Sequence, residues 1–242
     1  MIASLYIHVP FCAGACDYCD FYSVAVQPEA PHLEGNGTTD PRLDLFVDRL
    51  LADAEDLFRA FCLERVPTVY IGGGTPSVLG AARMKKMLEG IRKLLPVSAD
   101  GRSLPDEFTV EVNPESVDEE FLRVCLGGGV SRISLGVQSF HEPSRRAVHR
   151  SGNLSAAQLE ERLALTARYY PGAFSVDLIA GLPLQTKKGL QEDIRRLAAF
   201  NPAHVSLYAL TVETGTPLEQ NIRAPRPGIP LPPPLTNPMP CG

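Results

Sequence analysis

The 242-residue sequence has no excess of basic side chains: 23 lysines and arginines stand against 28 aspartates and glutamates, giving a net charge of −5 and a pI near 5.6. A phosphate backbone or an anionic membrane surface is therefore not expected as the main partner, because nothing supplies the long-range attraction. There is no apolar run long enough to span a bilayer, so no membrane segment is expected. The N-terminus enters a strand-like pattern without a basic region and cleavage site, and the sequence reads as cytoplasmic. Only six cysteines are present, unevenly spaced, which does not fit the disulfide framework of a short secreted domain. No repeat is visible beyond an alternation of strand and helix patterns. What is abundant is apolar material, 44% of residues, ample for the core of one large domain or two small ones.

Short β-branched runs alternate with segments of helical period from residue 4 to 211. The strand candidates are 4–9 (SLYIHV), 68–73 (TVYIGG), 108–113 (FTVEVN), 132–138 (RISLGVQ), 174–180 (FSVDLIA) and 204–211 (HVSLYALT). Helical periodicity runs through 43–61, where Leu43, Phe46, Leu50, Leu57 and Phe61 share a face, and through 81–95, 119–126, 156–170 and 189–200. Six β units separated by helices predict right-handed parallel crossovers and an α/β domain, either an open sheet or a barrel two units short of closure. The strands end in polar or glycine-rich runs: GGGTPS, NPES, QSFHEPS, GLPLQT and TVETGT. In parallel α/β folds ligands bind at the carboxyl ends of the strands, so these junctions should share one mouth. The stretch 27–41, rich in Pro, Gly, Asn and Thr, predicts a surface excursion. The core is placed at 1–218 and a proline-rich tail at 219–242, with proline dominating from Ala224 onward and an extended or disordered conformation expected.

The first junction reads FCAGACDYCDF. Cys62 and Cys125 lie in apolar helical surroundings and read as small buried hydrophobes; Cys241, in the tail, has no evident role. Cys12, Cys16 and Cys19 differ, since a CxxxCxxC loop can bring three thiolates to one point. Structural zinc takes four protein ligands, for which His8 could be the fourth, although His8 also reads as a plain strand residue. A [4Fe–4S] cluster usually takes four cysteines, so three would leave one iron open to a small-molecule ligand.

Three further features lie at strand ends. In YIGGGTPS a backbone free of side chains ends a strand, where a ligand can approach closely, although such a run also serves as a simple turn. Glu111 and Asp177 each sit between apolar neighbours in a strand, on the face opposite to them. A carboxylate there requires a partner or ligand. Gln138 adds an amide at a third strand end. Together they outline a polar pocket, and each read singly is equally a structural hydrogen-bonding residue.

The CxxxCxxC spacing, with Tyr18 just before the last cysteine, resembles the signature of radical S-adenosylmethionine (SAM) enzymes. The resemblance implies a [4Fe–4S] cluster on Cys12, Cys16 and Cys19, with the SAM amino and carboxylate groups on the fourth iron. It also implies reductive cleavage to a 5′-deoxyadenosyl radical and a partial (β/α)6 TIM-type barrel. GGGTPS then resembles the family's glycine motif, with Gly73, Gly74 and Thr75 as the matching positions. The series YIHVPFC, GGGTPS, EVNPE, SLGVQSF, the His149-Arg150 pair, VDLIAGLPLQT and SLYALTVETGT resembles, over about residues 4–218, the subfamily that unites oxygen-independent coproporphyrinogen III dehydrogenases with haem chaperones. By that resemblance Tyr6, Tyr18, Gly73, Gly74, Thr75, Glu111, Gln138, Arg150, Asp177 and Ala209 align with SAM-contacting positions, in some members divided between two SAM molecules. Arg150 could fork onto a SAM carboxylate; otherwise it reads as a solvated cation at a helix end.

The dehydrogenases typically carry a further cysteine two positions past the third, where this chain has Phe21, which favours the chaperone branch. The first expectation is thus a haem chaperone, with haem or a porphyrinogen as ligand, haem-acceptor proteins as partners and a reductant for the cluster. The second is a coproporphyrinogen III dehydrogenase acting on two propionates, and the third a non-catalytic cluster- or zinc-binding module. Whether the chain is an enzyme stays open at this point. The subfamily continues past the sixth strand with a region covering the mouth, and here PRPGIPLPPPLTNPMPCG follows instead. Because a radical site must exclude solvent, little or no turnover is expected of this chain alone. For haem ligation, His8, His32, His141, His149, His204, Cys62, Cys125 and several tyrosines are chemically possible, and no local pattern selects one.

Overall fold

Six strands run parallel in chain order in the computed structural model, which describes residues 1–26, 40–97, 101, 104–150, 152 and 154–233. They are β1 (Leu5–Val9), β4 (Thr68–Gly73), β5 (Glu107–Val112), β6 (Arg132–Gln138), β7 (Phe174–Ala180) and β8 (His204–Ala209). Two dipeptide strands, β2 (Phe11–Cys12) and β3 (Val24–Ala25), pair separately in parallel. Helices α1 (Pro41–Phe61), α2 (Gly80–Leu94), α3 (Glu119–Gly127), α5 (Ala156–Tyr169) and α6 (Lys187–Ala198) connect the main strands, and the short α4 (Glu142–Ala147) and α7 (Pro217–Arg223) lie in junctions. This is the partial (β/α)6 barrel. Each strand pairs with its neighbour in sequence, as right-handed β-helix-β crossovers arrange it.

Strand alternation builds the layers. Ile7, Val9, Val69, Ile71, Phe108, Val110, Val112, Ile133, Leu135, Val137, Phe174, Val176 and Leu178 are buried on the outer face. They form one core with Leu43 and Val47 of α1, Met84, Met87, Leu88 and Ile91 of α2, Phe121 and Leu122 of α3, and Leu159 and Leu163 of α5. Burying each large side chain contributes about 1.5–3 kcal/mol. The opposite, concave face is polar: Tyr6 stands beside Tyr70, Glu111 beside Ser134, and Asp177 between Gly136 and Ser206.

Several expectations need adjustment. The third strand begins at Glu107 and ends at Val112, and the sixth stops at Ala209. Neither α4 nor α7 carries enough apolar periodicity to be visible in sequence. The division placed after residue 218 falls inside α7, whose N-cap Thr216 accepts from the Glu219 N–H and whose Leu218 is buried. Of the expected excursion at 27–41, residues 27–39, including His32, lie outside the described residues. Asp40 and Pro41 are the N-cap and first residue of α1. Tail residues 234–242, with Cys241, also lie outside. No helix among the described residues is long and apolar enough to cross a membrane.

Candidate functional site

The cysteine loop leaves the C-terminal end of β1 and is closed at its base by the β2–β3 pair. The Val24 N–H donates to the Pro10 carbonyl at 2.7 Å and the Val26 N–H to that of Cys12 at 2.9 Å. Phe11 anchors this base edge-on against Phe46 of α1, with ring centroids 5.3 Å apart. Midway, Asp17 is buried and held from two sides: its N–H donates to the Val148 carbonyl and its carbonyl accepts from Leu218 N–H, both at 2.9 Å. Its carboxylate lies 2.9 Å from His149 Nδ1. The thiols of Cys12, Cys16 and Cys19 are free, with Cys16 buried and the others half-buried. Burial first, then the neighbouring Cys16 and Cys12, push the Cys19 thiol up against a backbone hydrogen bond from Phe21 that lowers it.

Two donors reach this loop from other junctions. Thr75 Oγ1, ending the glycine run, donates to Cys12 Sγ at 3.5 Å, and Arg150 Nη1 to Cys16 Sγ at 3.8 Å. Arg150 is therefore not a solvated cation at a helix end. Its Nη2 donates to Asn113 Oδ1 at 2.6 Å and to the Gly136 carbonyl at 2.8 Å. Burial acts to lower its pKa, but Tyr18, Cys16 and Glu115 outweigh that and hold it above the ordinary arginine value. Tyr18 packs on Val148, Ile179 and Leu182. Its hydroxyl is buried beside the Cys16 thiol, and burial first, then the neighbouring sulfurs, raise the phenol far above its ordinary value against the pull of Arg150.

A second group occupies the concave face beside the first. Tyr70 Oη donates to Glu111 Oε1 at 2.5 Å and the Gly73 N–H to Oε2 at 3.1 Å. These are the partners that a carboxylate in a strand requires. Burial nevertheless keeps the Glu111 pKa raised against those two bonds. Gly73 has φ +108°, and a Cβ there would lie 2.6 Å from His8 Nδ1; both facts require glycine. At Gly74 a Cβ would lie 2.6 Å from the Phe11 carbonyl oxygen. His8 Nε2 lies 3.1 Å from the Tyr22 carbonyl, which can only accept, so Nε2 carries the proton. The Nδ1 then accepts from Tyr6 Oη at 3.2 Å. With both nitrogens engaged, His8 does not serve as a fourth ligand to the loop.

Gln138 is an unusual strand end: φ is +67° and the β6–β7 register shifts between Gly136 and Gln138. Such a bulge re-aims a side chain, and positive φ in a non-glycine residue marks a conformation imposed by its surroundings. The Gln138 amide thereby lies over Gly136, next to Arg150. Asp177 accepts from Ser134 Oγ at 3.4 Å and neighbours the same Gly136. Ala209 stands apart, exposed at the end of edge strand β8 opposite Ala180. Sequence reasoning missed Tyr70 and Asn113. Tyr70 lies on the Glu111 face two residues before Gly72, a signal the alternation already contained. Asn113 closes β5 in EVNPE, but its partners are 37 and 38 residues away.

The haem-ligand candidates scatter. His141 binds Ser144 Oγ at 2.8 Å, His204 starts β8 at the end remote from the mouth, Cys62 caps α1 and is exposed rather than buried as expected, and Cys125 is buried on α3.

Among the described residues no three His, Cys, Asp or Glu side chains converge closely enough to hold a single metal ion. The three thiols therefore do not meet at one point, as the spacing suggested. A four-iron cube, with its ligated irons at separate corners, suits a spread set of three thiols and leaves one iron without a protein ligand.

A partial (β/α)6 barrel with a three-cysteine loop after its first strand defines a class. The chain belongs to the radical SAM superfamily, whose family model matches residues 6–197. Among curated proteins it is 38% identical over 214 residues to "Heme chaperone HemW" of Escherichia coli (strain K12), covering 88% of this chain and 52% of that protein. It is 32% identical over 213 residues to the protein of the same name from Lactococcus lactis, covering 88% and 50%. It is also 32% identical over 216 residues to the mouse "Radical S-adenosyl methionine domain-containing protein 1, mitochondrial", covering 89% and 45%. The chain thus spans about half the length of the curated relatives it matches. Among solved structures, coproporphyrinogen III oxidase (HemN) from Escherichia coli superposes with a TM-score of 0.69 at 26% identity, over 87% of this chain and 44% of that one. The cobalamin- and cluster-bound methyltransferase TsrM from Kitasatospora setae, TM-score 0.59 at 16% identity over 89% and 38%, shares the fold.

Proposed function

We propose that this chain is the cluster- and SAM-binding core of a haem-handling radical SAM protein. The observation that carries the reading is the loop itself: three free thiols, two of them facing donors on other junctions, with no fourth protein ligand among the described residues, in a sequence 38% identical to a haem chaperone. Cys12, Cys16 and Cys19 would hold a [4Fe–4S] cluster. SAM would lie across the strand ends, with Glu111, Gly73, Gly74 and Thr75 on one side, Gln138, Asp177 and Arg150 on the other, Tyr6 and Tyr18 at its borders and Ala209 at the edge. When bound, the cluster and SAM together supply one-electron radical chemistry. Arg150, already bonded to Asn113 and Gly136, presents a fixed cation where a carboxylate could dock. Tyr70 and the Gly73 amide orient Glu111 toward a ligand amine or hydroxyl.

Phe21, exposed beside the loop, stands where the dehydrogenase resemblance expects another cysteine, which supports haem delivery over porphyrinogen oxidation. The partners on this reading are haem, a reductant for the cluster and a haem-acceptor protein. The test is to reconstitute the protein anaerobically, add SAM and dithionite, then add either haem or coproporphyrinogen III. Stoichiometric haem binding without porphyrinogen turnover is expected. Formation of protoporphyrinogen would assign the dehydrogenase activity instead, and a zinc-only protein would remove the radical reading altogether.

A further inference from the structure

We infer that Asn113 is a positioning residue that fixes the hydrogen bonds received by two of the three loop sulfurs, and thereby sets the reduction potential of the cluster they would hold. The inference rests on the radical SAM reading of the loop and goes beyond the residues that reading assigns.

Asn113 is buried at the end of β5, on the turn into Pro114. Its side chain is used in both directions. Nδ2 donates to Thr75 Oγ1 at 3.2 Å, and Oδ1 accepts from Arg150 Nη2 at 2.6 Å. Because an arginine can only donate, the amide orientation is fixed: the oxygen must face Arg150 and the NH2 must face Thr75. The first consequence concerns Thr75. Its oxygen accepts from Asn113, so its single hydroxyl hydrogen is directed to Cys12 Sγ, 3.5 Å away. The second concerns Arg150. Anchored on Asn113 and the Gly136 carbonyl through Nη2, it presents Nη1 to Cys16 Sγ at 3.8 Å. One carboxamide thus organises a continuous path from Cys12 through Thr75, Asn113 and Arg150 to Cys16, joining four strand-end junctions.

The support for Asn113 is itself built in. Its N–H donates to Ser77 Oγ at 3.1 Å, its carbonyl accepts from Ser116 Oγ at 3.2 Å, and those two hydroxyls are 2.5 Å apart. Neither Asn113 nor the serines reach a sulfur directly. Hydrogen bonds to cluster thiolates stabilise the more negative, reduced state and raise the potential. Removing the organiser should leave the ligands in place and make the cluster harder to reduce.

The experiment measures the cluster midpoint potential by EPR-monitored redox titration of anaerobically reconstituted protein, with iron and sulfide content determined for every variant. Asn113→Ala should load iron and sulfide as the parent does. Its reduction equilibrium should shift about tenfold toward the oxidised state, or ~59 mV negative for one electron. Asn113→Asp keeps the shape and the acceptor for Arg150 but cannot donate to Thr75, and should also move negative. Thr75→Val removes the relay to Cys12, and in that background the Asn113→Ala shift should shrink. Parent-like potentials in loaded Asn113→Ala and Asn113→Asp would overturn the inference, as would an undiminished Asn113→Ala shift in the Thr75→Val background. Failure of the parent protein itself to assemble a cluster would overturn the functional reading and not this one alone.

Discussion

At the scale of single residues, the site is made by groups whose ordinary preferences have been overridden. Gly73 combines φ +108° with a Cβ position 2.6 Å from His8. A side chain there costs strain and displaces the ring that links Tyr6 to Tyr22. Gly73→Ala is expected to weaken SAM binding roughly 10- to 100-fold, the equivalent of about 1.5–3 kcal/mol, with far-UV circular dichroism unchanged; equilibrium dialysis with reconstituted protein measures it. Glu115 offers a pH test. Burial raises its pKa above the ordinary 4.5, more than Arg150 and Arg145 lower it, and its Oε2 has no hydrogen bond among the described residues. A carboxyl raised in the folded state holds the proton more tightly folded than unfolded. Its contribution is complete below the ordinary glutamate value and is lost as pH rises through the raised one. Thermal denaturation midpoints between pH 4 and 7 should therefore slope less steeply downward in Glu115→Gln than in the parent. An identical slope in the two would show that Glu115 ionises as it does in the unfolded chain.

At the scale of elements, stability follows what covers each face and what closes each end. Helix α5 begins with a capping box: the Ser155 hydroxyl accepts from Gln158 N–H at 3.3 Å and the Gln158 side chain from Ser155 N–H at 2.9 Å. Ser155→Ala should cost about 1 kcal/mol, read as a lower urea midpoint with an unchanged m-value. Strand β8 behaves differently from its neighbours, since none of its six residues is buried and Leu207 is 50% exposed on the face where Leu135 of β6 is 0%. No described helix covers that outer face. Leu207→Thr should alter stability by no more than about 0.5 kcal/mol, whereas Leu135→Ala should cost about 2–5 kcal/mol. Equal losses in the two urea titrations would mean that β8 is packed in solution.

At the scale of the whole molecule, the division is between an apolar outer face that packs against helices and a polar inner face that lines the mouth. The six strands were legible because buried parallel strands carry dense β-branched runs, and β4, β6 and β7 fall at the positions the sequence predicts. The mouth was legible because Cys12, Cys16 and Cys19 crowd one junction, and because Gly73, Glu111 and Gln138 interrupt strand patterns where no core residue would. Less was visible where partners are remote in sequence. The Asn113 path depends on contacts between different junctions, α4 and α7 are too short for periodicity to register, and the two-residue β2–β3 pair has no pattern at all. The Leu218 N–H bond to the Asp17 carbonyl ties α7 to the cysteine loop across the molecule, which no local signal announces.

On the proposed reading, Cys12, Cys16 and Cys19 hold a four-iron cluster whose open iron takes SAM. EPR of the reduced, reconstituted protein, recorded with and without SAM, examines both halves of that statement at once. About four irons and four sulfides per chain are expected, with a reduced-cluster signal whose g-values change on adding SAM, both lost in Cys16→Ala. A reduced-cluster signal indifferent to saturating SAM, or a protein that binds only zinc, would rule the cluster-and-SAM assignment out.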